Sequence, residues 1–597
     1  MKTHVGHRLA ATGLFLGKFN LQTVPFEQLK RCQTHLRVEL VDIARNEEAN
    51  AHSSIVGDTL YRKHAAIAVG GVSDADDGLG TRNPIGLGEA SHSACSPNTI
   101  SGMTTAYIAI DLGAESGRVI VGVLENERLR LEEVHRFLHE SVWLPTGLHW
   151  NITGIWREII VGLRKAADWG HANRVEPVSV GVDTWGVDWA LIDKAGELVG
   201  SPHAYRDPRN AAAFDAVLSK LGTDCIYRTT GIQFMALNSL CSLYAHQLDD
   251  PQAVAAADRL LFIPDLLHYW LSGERTTEAT IASTSQMIDC HTGDWAREML
   301  AELGLPTNML GPIISPATSI GKLRSILAEE TGLPAGLRIV APATHDTASA
   351  VAAVPATRDS NWCYLSSGTW SLFGAELDEP CVSAAAQAGS FTNELGVGGT
   401  IRFLTNIAGL WLVQECRRDF ARYGQELDYP TLTQLAGESP AFRTVIDPGH
   451  SSFLLPGNMP EKIAEFARAT GQPAPESPGQ FIRCCLESLA LAYREKLSTL
   501  ESILDRRFDV LHIVGGGGKN ALLSQMTSDA IGRPVVVGPY EATAMGNVLV
   551  QAMATNQVRD VSHLRRIVAG SFELMKYQPA ADADWHSAAS RSAGFRT

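Results

Sequence analysis

An α/β architecture of two similar domains is what the sequence predicts, and three observations carry it. Beyond Met103, apolar runs of strand length alternate with segments of helical periodicity, which marks an α/β protein rather than a sandwich or a bundle. A strand–turn–strand entry occurs twice, after residues 106–110 and after residues 362–366, as two similar domains facing one another require. The length of 597 residues, at 45% hydrophobic and 19% charged, is too great for one core and too apolar for a disordered chain.

Residues 106–110 form a compact apolar run entering a Gly-containing turn, as a buried strand does. Residues 119–124 leave that turn and residues 130–137 return beside them. Residues 155–167 read as an amphipathic helix, and residues 179–182 as a buried strand ending at Asp183. Residues 189–192 with the Asp193 to Gly196 turn suggest a hairpin. In the second half, residues 362–366 run through Ser367, Gly368 and Thr369 into residues 372–375. Ser477, Pro478 and Gln480 supply a cap, a first-position proline and a capping-box residue for a helix whose apolar positions continue to Leu500. Residues 510–514 are a strand opening into Gly515, Gly516, Gly517 and Gly518, with a helix over residues 521–531.

Residues 1–102 differ from everything after them, ending in a Gly/Asp/Ser/Asn-rich stretch without hydrophobic period. They are expected to be a disordered extension or the product of a mis-assigned start, with Met103 as the initiator. Fifty Lys and Arg against 65 Asp and Glu give a formal charge of −15, which disfavours nucleic acid as a partner. Ten cysteines without a C-x-x-C pair fit a reducing compartment. No run reaches the roughly 18 apolar residues of a membrane span, and Lys18 ends the one signal-like run at the amino terminus. A soluble, cytoplasmic protein is expected.

The turn from Asp111 to Arg118 sets a carboxylate at a strand end, small residues at Gly113 and Ala114, a hydroxyl at Ser116 and a cation at Arg118. That combination suits a metal-bound phosphate, with Asp111 holding Mg²⁺ through water, although an ordinary β-turn uses the same residues. Gly368 and Gly515 to Gly517 offer further bare backbone. Ile513 and Asn520 stand where a Walker loop needs Gly and Ser or Thr, and Asn520 also breaks a dinucleotide G-x-G-x-x-G pattern. Asp346, after the apolar run 339–341 and before a small-residue helix, is placed as a general base or, alternatively, as part of a helix start. Trp185, Trp189, Trp370 and Trp411 are candidates for a sugar face or for core, and Tyr205, Arg206 and Asp207 for a pocket loop.

Taken in order, the segments 111–118, 181–188, 205–207, 345–347, 366–371, 406–411 and 514–517 resemble FGGY-type carbohydrate kinases, from about Met103 to the carboxyl end. The resemblance implies two ribonuclease-H-like domains of the actin/hexokinase type, residues 103–345 and 346–597, with sugar and ATP in the cleft between them. It implies ATP and Mg²⁺ as cofactors and a small ketose as partner, with transfer of a phosphoryl group to O1 of L-rhamnulose. Asp346 is similar to the proton acceptor. Gly186, His345, Thr347 and Asn406, with Asp346, match sugar-contacting positions. Ala114, Glu115, Ser116, Gly117, Arg118, Thr369, Gln414 and Gly516 match ATP-holding positions, the Glu115 side chain excepted because some relatives carry a small hydroxyl residue there. A kinase acting on xylulose or fuculose, or a sugar sensor that keeps the nucleotide cradle without turnover, are the competing readings.

Overall fold

The computed structural model describes residues 104–357, 360–580 and 584–595. The expectations for residues 1–102 and for Met103 lie outside them.

Two mixed sheets dominate. The first contains β1 (Thr104–Leu112), β2 (Ser116–Glu125), β3 (Arg128–Leu138), β4 (Val175–Thr184), β5 (Thr318–Lys322) and β6 (Arg338–Ala341), in the order β5-β6-β4-β1-β2-β3. The second contains β7 (Trp362–Ser367), β8 (Ser371–Leu377), β9 (Thr392–Leu395), β10 (Ile401–Ile407), β11 (Val510–Val514), β12 (Val535–Val537) and β13 (Met575–Tyr577), in the order β9-β10-β8-β7-β11-β12-β13. Each sheet has an antiparallel meander, then two parallel strands, then an antiparallel edge strand. Apart from the added edge strand β9, one pattern is built twice, as the repeated strand–turn–strand entry predicts.

The central strands are apolar on both faces because helices cover both. Residues 106–110 of β1 are wholly buried, and the helix α1 (Ile152–Asn173) covers one side with Ile155, Ile159 and Leu163. β3 alternates charged and buried positions because it lies at an edge, where Leu129 and Phe137 turn inward. In the second half, α2 (Asp346–Ala352), α3 (Trp411–Arg422), α4 (Pro478–Leu504), α5 (Ala521–Ile531) and α6 (Ala542–Ala554) surround the other sheet. Ser477 caps α4 through Gln480 N, and Gln480 Oε1 reaches back 2.9 Å to the amide of Glu476.

The sheets share a third core, in which Tyr107 and Ala109 of β1 meet Trp362, Val514, Met545 and Val548. Helix α6 makes the connection. A Cβ on Gly546 would lie 1.8 Å from the carbonyl oxygen of Ser349 in α2, and one on Gly122 would lie 2.6 Å from Val548. Gln551 donates to the Ile108 carbonyl at 3.0 Å and Asn547 to Asp183 at 2.6 Å, so α6 is pinned to β1 and β4 by buried amides.

The hairpin expected after Trp189–Ile192 needs correction. The turn forms, with Gly196 N donating to Asp193 O at 3.0 Å, but the return is a single bridge between Ile192 and Leu198. The strand pairs instead with Arg259–Phe262, antiparallel. All four of its residues are buried, and Leu260, Leu261 and Phe262 offer a continuous apolar partner, whereas residues 197–202 supply only Leu198 and Val199 before Gly200 and Pro202 end the run. Among the described residues no helix is long and apolar enough to cross a membrane, and the described cysteines are free.

Candidate active site

The strand ends of both sheets open into one cavity of about 320 Å³. Gly113 and Ala114 follow β1, Gly368 and Thr369 join β7 to β8, and Gly515 and Gly516 follow β11; all line it. These turns press on one another. Gly515 sits at φ 87°, and a Cβ there would lie 2.8 Å from the Ser367 carbonyl oxygen; one on Gly517 would lie 2.2 Å from Ser367 Oγ. Gly516 differs, since an added Cβ would meet nothing within 4 Å. Its backbone faces open space that a ligand can approach.

The opposite wall is polar. Asp346 is the first residue of α2, and its side chain remains 31% exposed because it faces the cavity. Thr347 Oγ1 donates to Asp346 Oδ1 at 3.0 Å, and His345 Nε2 lies 3.4 Å from the same oxygen. Behind the imidazole, Arg402 Nη2 lies 3.2 Å from Nδ1 and Glu394 Oε2 lies 3.3 Å from it, while Arg402 and Glu394 pair at 2.9 Å. Nδ1 thus lies between a donor, Arg402, and an acceptor, Glu394, while Nε2 faces Asp346. Burial alone would lift the Glu394 carboxyl, but Arg402 and His345 hold it below the usual range. Glu278 fixes the backbone before this group, accepting from Thr344 N at 3.1 Å and from Thr280 N at 2.9 Å.

Desolvation between the cleft walls raises the Asp346 pKa, and Asp111 adds to the rise; His345 and Thr347 oppose it. Asp346 is therefore not an ordinary carboxylate that needs only position. Asp111 and Asp183 lie beside it because the sheet register sets Asp111 opposite Arg118 on β2 and opposite Asp183 on β4. Burial and the Asp111 charge push Asp183 well above the carboxylate range, and its Oδ1 has no partner among the described residues. Arg118 bonds Asp111 and reaches across to Glu541, and both carboxylates keep it charged despite its burial.

The structure thus brings Ala114, Gly186, His345, Asp346, Thr347, Thr369, Asn406 and Gly516 onto one cavity. The other expected site residues do not line it. Asp111 and Arg118 pair with each other behind the wall, and Glu115 forms a two-pronged bridge to Arg418 at 2.9 Å. Ser116 closes the turn through its carbonyl, 3.0 Å from Gly113 N, and a Cβ on Gly117 would lie 2.3 Å from the Phe137 ring. Gln414 stands behind Thr369, donating to its Oγ1 at 3.3 Å, with its own Oε1 buried and unpartnered among the described residues. Trp185 and Trp370 line the cavity. Trp189 and Trp411 are core, bonding Ser242 and the Phe453 carbonyl. Tyr205 reaches the cavity, Arg206 stacks on Trp411 at 4.6 Å, and Asp207 staples its own loop by accepting from Leu148 N and Arg209 N.

Glu394, Arg402, Glu278 and Gln233 are not announced in the sequence, because His345, Thr344 and Asn406, which they hold, lie 49 to 173 positions away along the chain. A charged pair within a β-strand run, at 394 and 402, is the only local signal. Among the described residues no group of three or more His, Cys, Asp and Glu forms a cage for a metal. Asp111 and Asp183 beside bare glycine backbone, with one Asp183 oxygen unpartnered, are nevertheless carboxylate donors of the kind Mg²⁺ takes when it arrives with a nucleotide.

Residues 106–353 match the FGGY family of carbohydrate kinases, N-terminal domain, and residues 363–555 match the C-terminal domain of that family. The chain is 44% identical over 486 residues to a rhamnulokinase of Bacteroides thetaiotaomicron, covering 81% of this chain and 98% of that protein. It is 39% identical to a rhamnulokinase of Oceanobacillus iheyensis, covering 80% and 98%. Among solved structures, gluconate kinase from Lactobacillus acidophilus superposes with a TM-score of 0.67 at 14% identity, covering 83% of this chain and 98% of that one. Glycerol kinase from Plasmodium falciparum, solved with ADP, gives 0.66 at 16% identity over 83% and 98%. At such identities these two show a shared fold.

Proposed function

The chain belongs to the FGGY family of carbohydrate kinases, and from that premise we propose that it transfers the γ-phosphoryl group of ATP to O1 of L-rhamnulose, in rhamnose catabolism. The observation that carries the reading is the position of Asp346, which faces one cavity with the glycine turns 113, 368 and 516 on one side and Gly186, His345 and Asn406 on the other. A non-catalytic sensor needs the cradle and has no use for the base.

Phosphoryl transfer depends on in-line positioning and charge stabilisation. The backbone of Ala114, Thr369 and Gly516 receives the nucleotide, and Gly186, His345, Thr347 and Asn406 hold the sugar. Asp346 accepts the O1 proton as that oxygen attacks the γ-phosphorus and the bond to the β-phosphate oxygen breaks, giving the sugar phosphate and ADP. A raised pKa suits a group that must take up a proton. His345 Nε2 stands against the carboxylate, and the buried Arg402–Glu394 pair fixes the ring. Asp111, with Asp346 and Asp183 near it, would hold Mg²⁺, which when bound neutralises charge on the phosphate oxygens. Enclosure by both lobes excludes water as a competing acceptor. The residues 103–345 and 346–597 act as the two closing domains, and the reading places the enzyme in the cytoplasm.

A coupled assay for ADP release with Mg²⁺, ATP and a panel of ketoses tests this. L-rhamnulose is expected to have the highest kcat/KM, with slow hydrolysis of ATP in its absence. A preference for xylulose or fuculose would reassign the substrate, and ADP release indifferent to sugar would end the kinase reading.

A further inference from the structure

One stretch of chain borders the cavity as a strut. Residues 231–238 leave a left-handed Gly231 whose carbonyl is held from the other half of the molecule, by Asn393 N at 2.9 Å and Asn393 Nδ2 at 3.1 Å. Along the strut, Gln286 Nε2 donates to Ile232 O at 3.3 Å and Asn238 Nδ2 to Gln233 O at 2.9 Å. Asn238 and Gln286 are buried, so the Gln233 backbone is fixed by groups that have no other solvent to satisfy them. The strut is therefore rigid where it borders the cavity.

Gln233 lines the cavity, and its amide is oriented without ambiguity. Its Oε1 accepts from Asn406 N at 3.3 Å and from Asn406 Nδ2 at 3.2 Å. A backbone N–H only donates, so the Gln233 atom facing it must be the carbonyl oxygen. Its Nε2 then points elsewhere and makes no hydrogen bond among the described residues. Asn406 donates one Nδ2 hydrogen to Gln233, and its Oδ1 is left as an acceptor with no partner among the described residues. An unspent donor and an unspent acceptor, one from each half of the molecule, thus share one wall with Thr284 and Gly186. A sugar hydroxyl both donates and accepts, and this is the pairing that reads one.

We propose that Gln233 is a specificity-determining residue for the acceptor sugar, donating from Nε2 to a hydroxyl of the bound ketose while its Oε1 keeps Asn406 turned to accept from the same region. This rests on the ketose kinase reading. It also means that sugar binding and contact between the two halves share one side chain, since Gln233 holds Asn406 whether or not sugar is present.

Two variants separate the donor from the bridge. Gln233→Glu keeps an oxygen for Asn406 and removes the donor; Gln233→Leu removes both. Each is expected to raise the KM for the ketose roughly 10- to 100-fold with the KM for ATP within about twofold of wild type, as loss of a buried hydrogen-bond partner does. A series of mono-deoxy ketoses gives the sharper readout. One analogue, lacking the hydroxyl that Gln233 reads, is expected to bind wild type and Gln233→Glu alike. A Gln233→Glu enzyme with unchanged ketose KM, or with ketose and ATP KM raised together, would overturn the proposal. Wild-type protein that releases no ADP with any ketose would instead overturn the functional reading, and this inference with it.

Discussion

The two sheets are one strand pattern built twice, yet their strand ends carry opposite chemistry. At the first, the central parallel pair ends in Asp111 and Asp183, with Arg118 in the same row. At the second, the corresponding strands end in Ser367 and in Val514 followed by Gly515, with Ser371 opposite Ser367. One end concentrates charge that raises carboxylate pKa values; the other removes side chains until backbone amides are accessible. Duplication of a scaffold therefore leaves each copy free to take half of a reaction. The paired carboxylates Asp111 and Asp183 sit with the first and the bare-backbone cradle with the second, while the proton acceptor Asp346 opens α2 at the junction of the two. Helix α6 of the second half, pinned to β1 and β4 by Gln551 and Asn547, holds the halves in register.

The largest expected effect lies on the charged side. Asp346→Asn keeps the shape and the contact with Thr347 but cannot take up a proton, so kcat is expected to fall at least roughly a hundredfold with the fold intact. The wild-type pH profile checks the same point. A base works only when deprotonated, and because burial raises the Asp346 pKa, kcat is expected to decline on the acid side at a pH above the ordinary aspartate value of about 4. A wild-type profile flat down to pH of about 4 would argue against that environment, and near-wild-type turnover of the variant would remove Asp346 from the chemistry.

On the other side, the comparison predicts that neighbouring glycines are not equivalent. Gly517→Ala would thrust a Cβ to within 2.2 Å of Ser367 Oγ, prying apart the two turns that form the cradle. Overpacking of that kind costs about 1–3 kcal/mol, so a lowered Tm and a raised KM for ATP are expected together. Gly516→Ala meets nothing within 4 Å, so Tm is expected to be unchanged while the methyl projects toward nucleotide and raises KM for ATP alone. Equal Tm losses in both would mean that Gly516 is structural too. Thermal melts with and without ATP distinguish the cases.

How much of this was legible in the sequence follows from distance along the chain. The glycine turns, Asp111 and Asp346 are announced by apolar strand runs immediately before them, and α4 by its own cap, so each is a local pattern. The fixing of His345 by Arg402, of Asp183 by Asn547 and of Asn406 by Gln233 is not local, and the last two join residues 364 and 173 positions apart. Buried amides such as Asn547 and Gln551 look like tolerated polar residues in an Ala-rich helix until the sheet they bond is known. The Trp189–Ile192 strand shows the converse error, because a good turn signal after it pointed to a near partner while two-sided burial selected Arg259–Phe262. The raised Asp346 pKa is illegible in the sequence for the same reason, since its walls come from both halves.

The smallest expected effect concerns the place where the two chemistries touch at the surface. Glu115 follows the first glycine turn and bridges to Arg418 on α3, which also pairs with Glu415 at 2.6 Å. Both partners of the Glu115 bridge are more than two-fifths exposed, at 46% and 43%, so water and salt screen most of the attraction. Exposed pairs of this kind contribute about 0.2–1 kcal/mol. Glu115→Ala is therefore expected to shift Tm by no more than about 2 °C for a chain of this size, and to leave kcat within about twofold, with any difference fading as salt rises toward about 1 M, where the Debye length is about 3 Å. If instead Glu115→Ala matched Gly517→Ala in its effect on KM for ATP, the carboxylate would belong to the nucleotide site despite its charge. The division between a charged half and a bare-backbone half would then have to be redrawn along α3 rather than along the cleft.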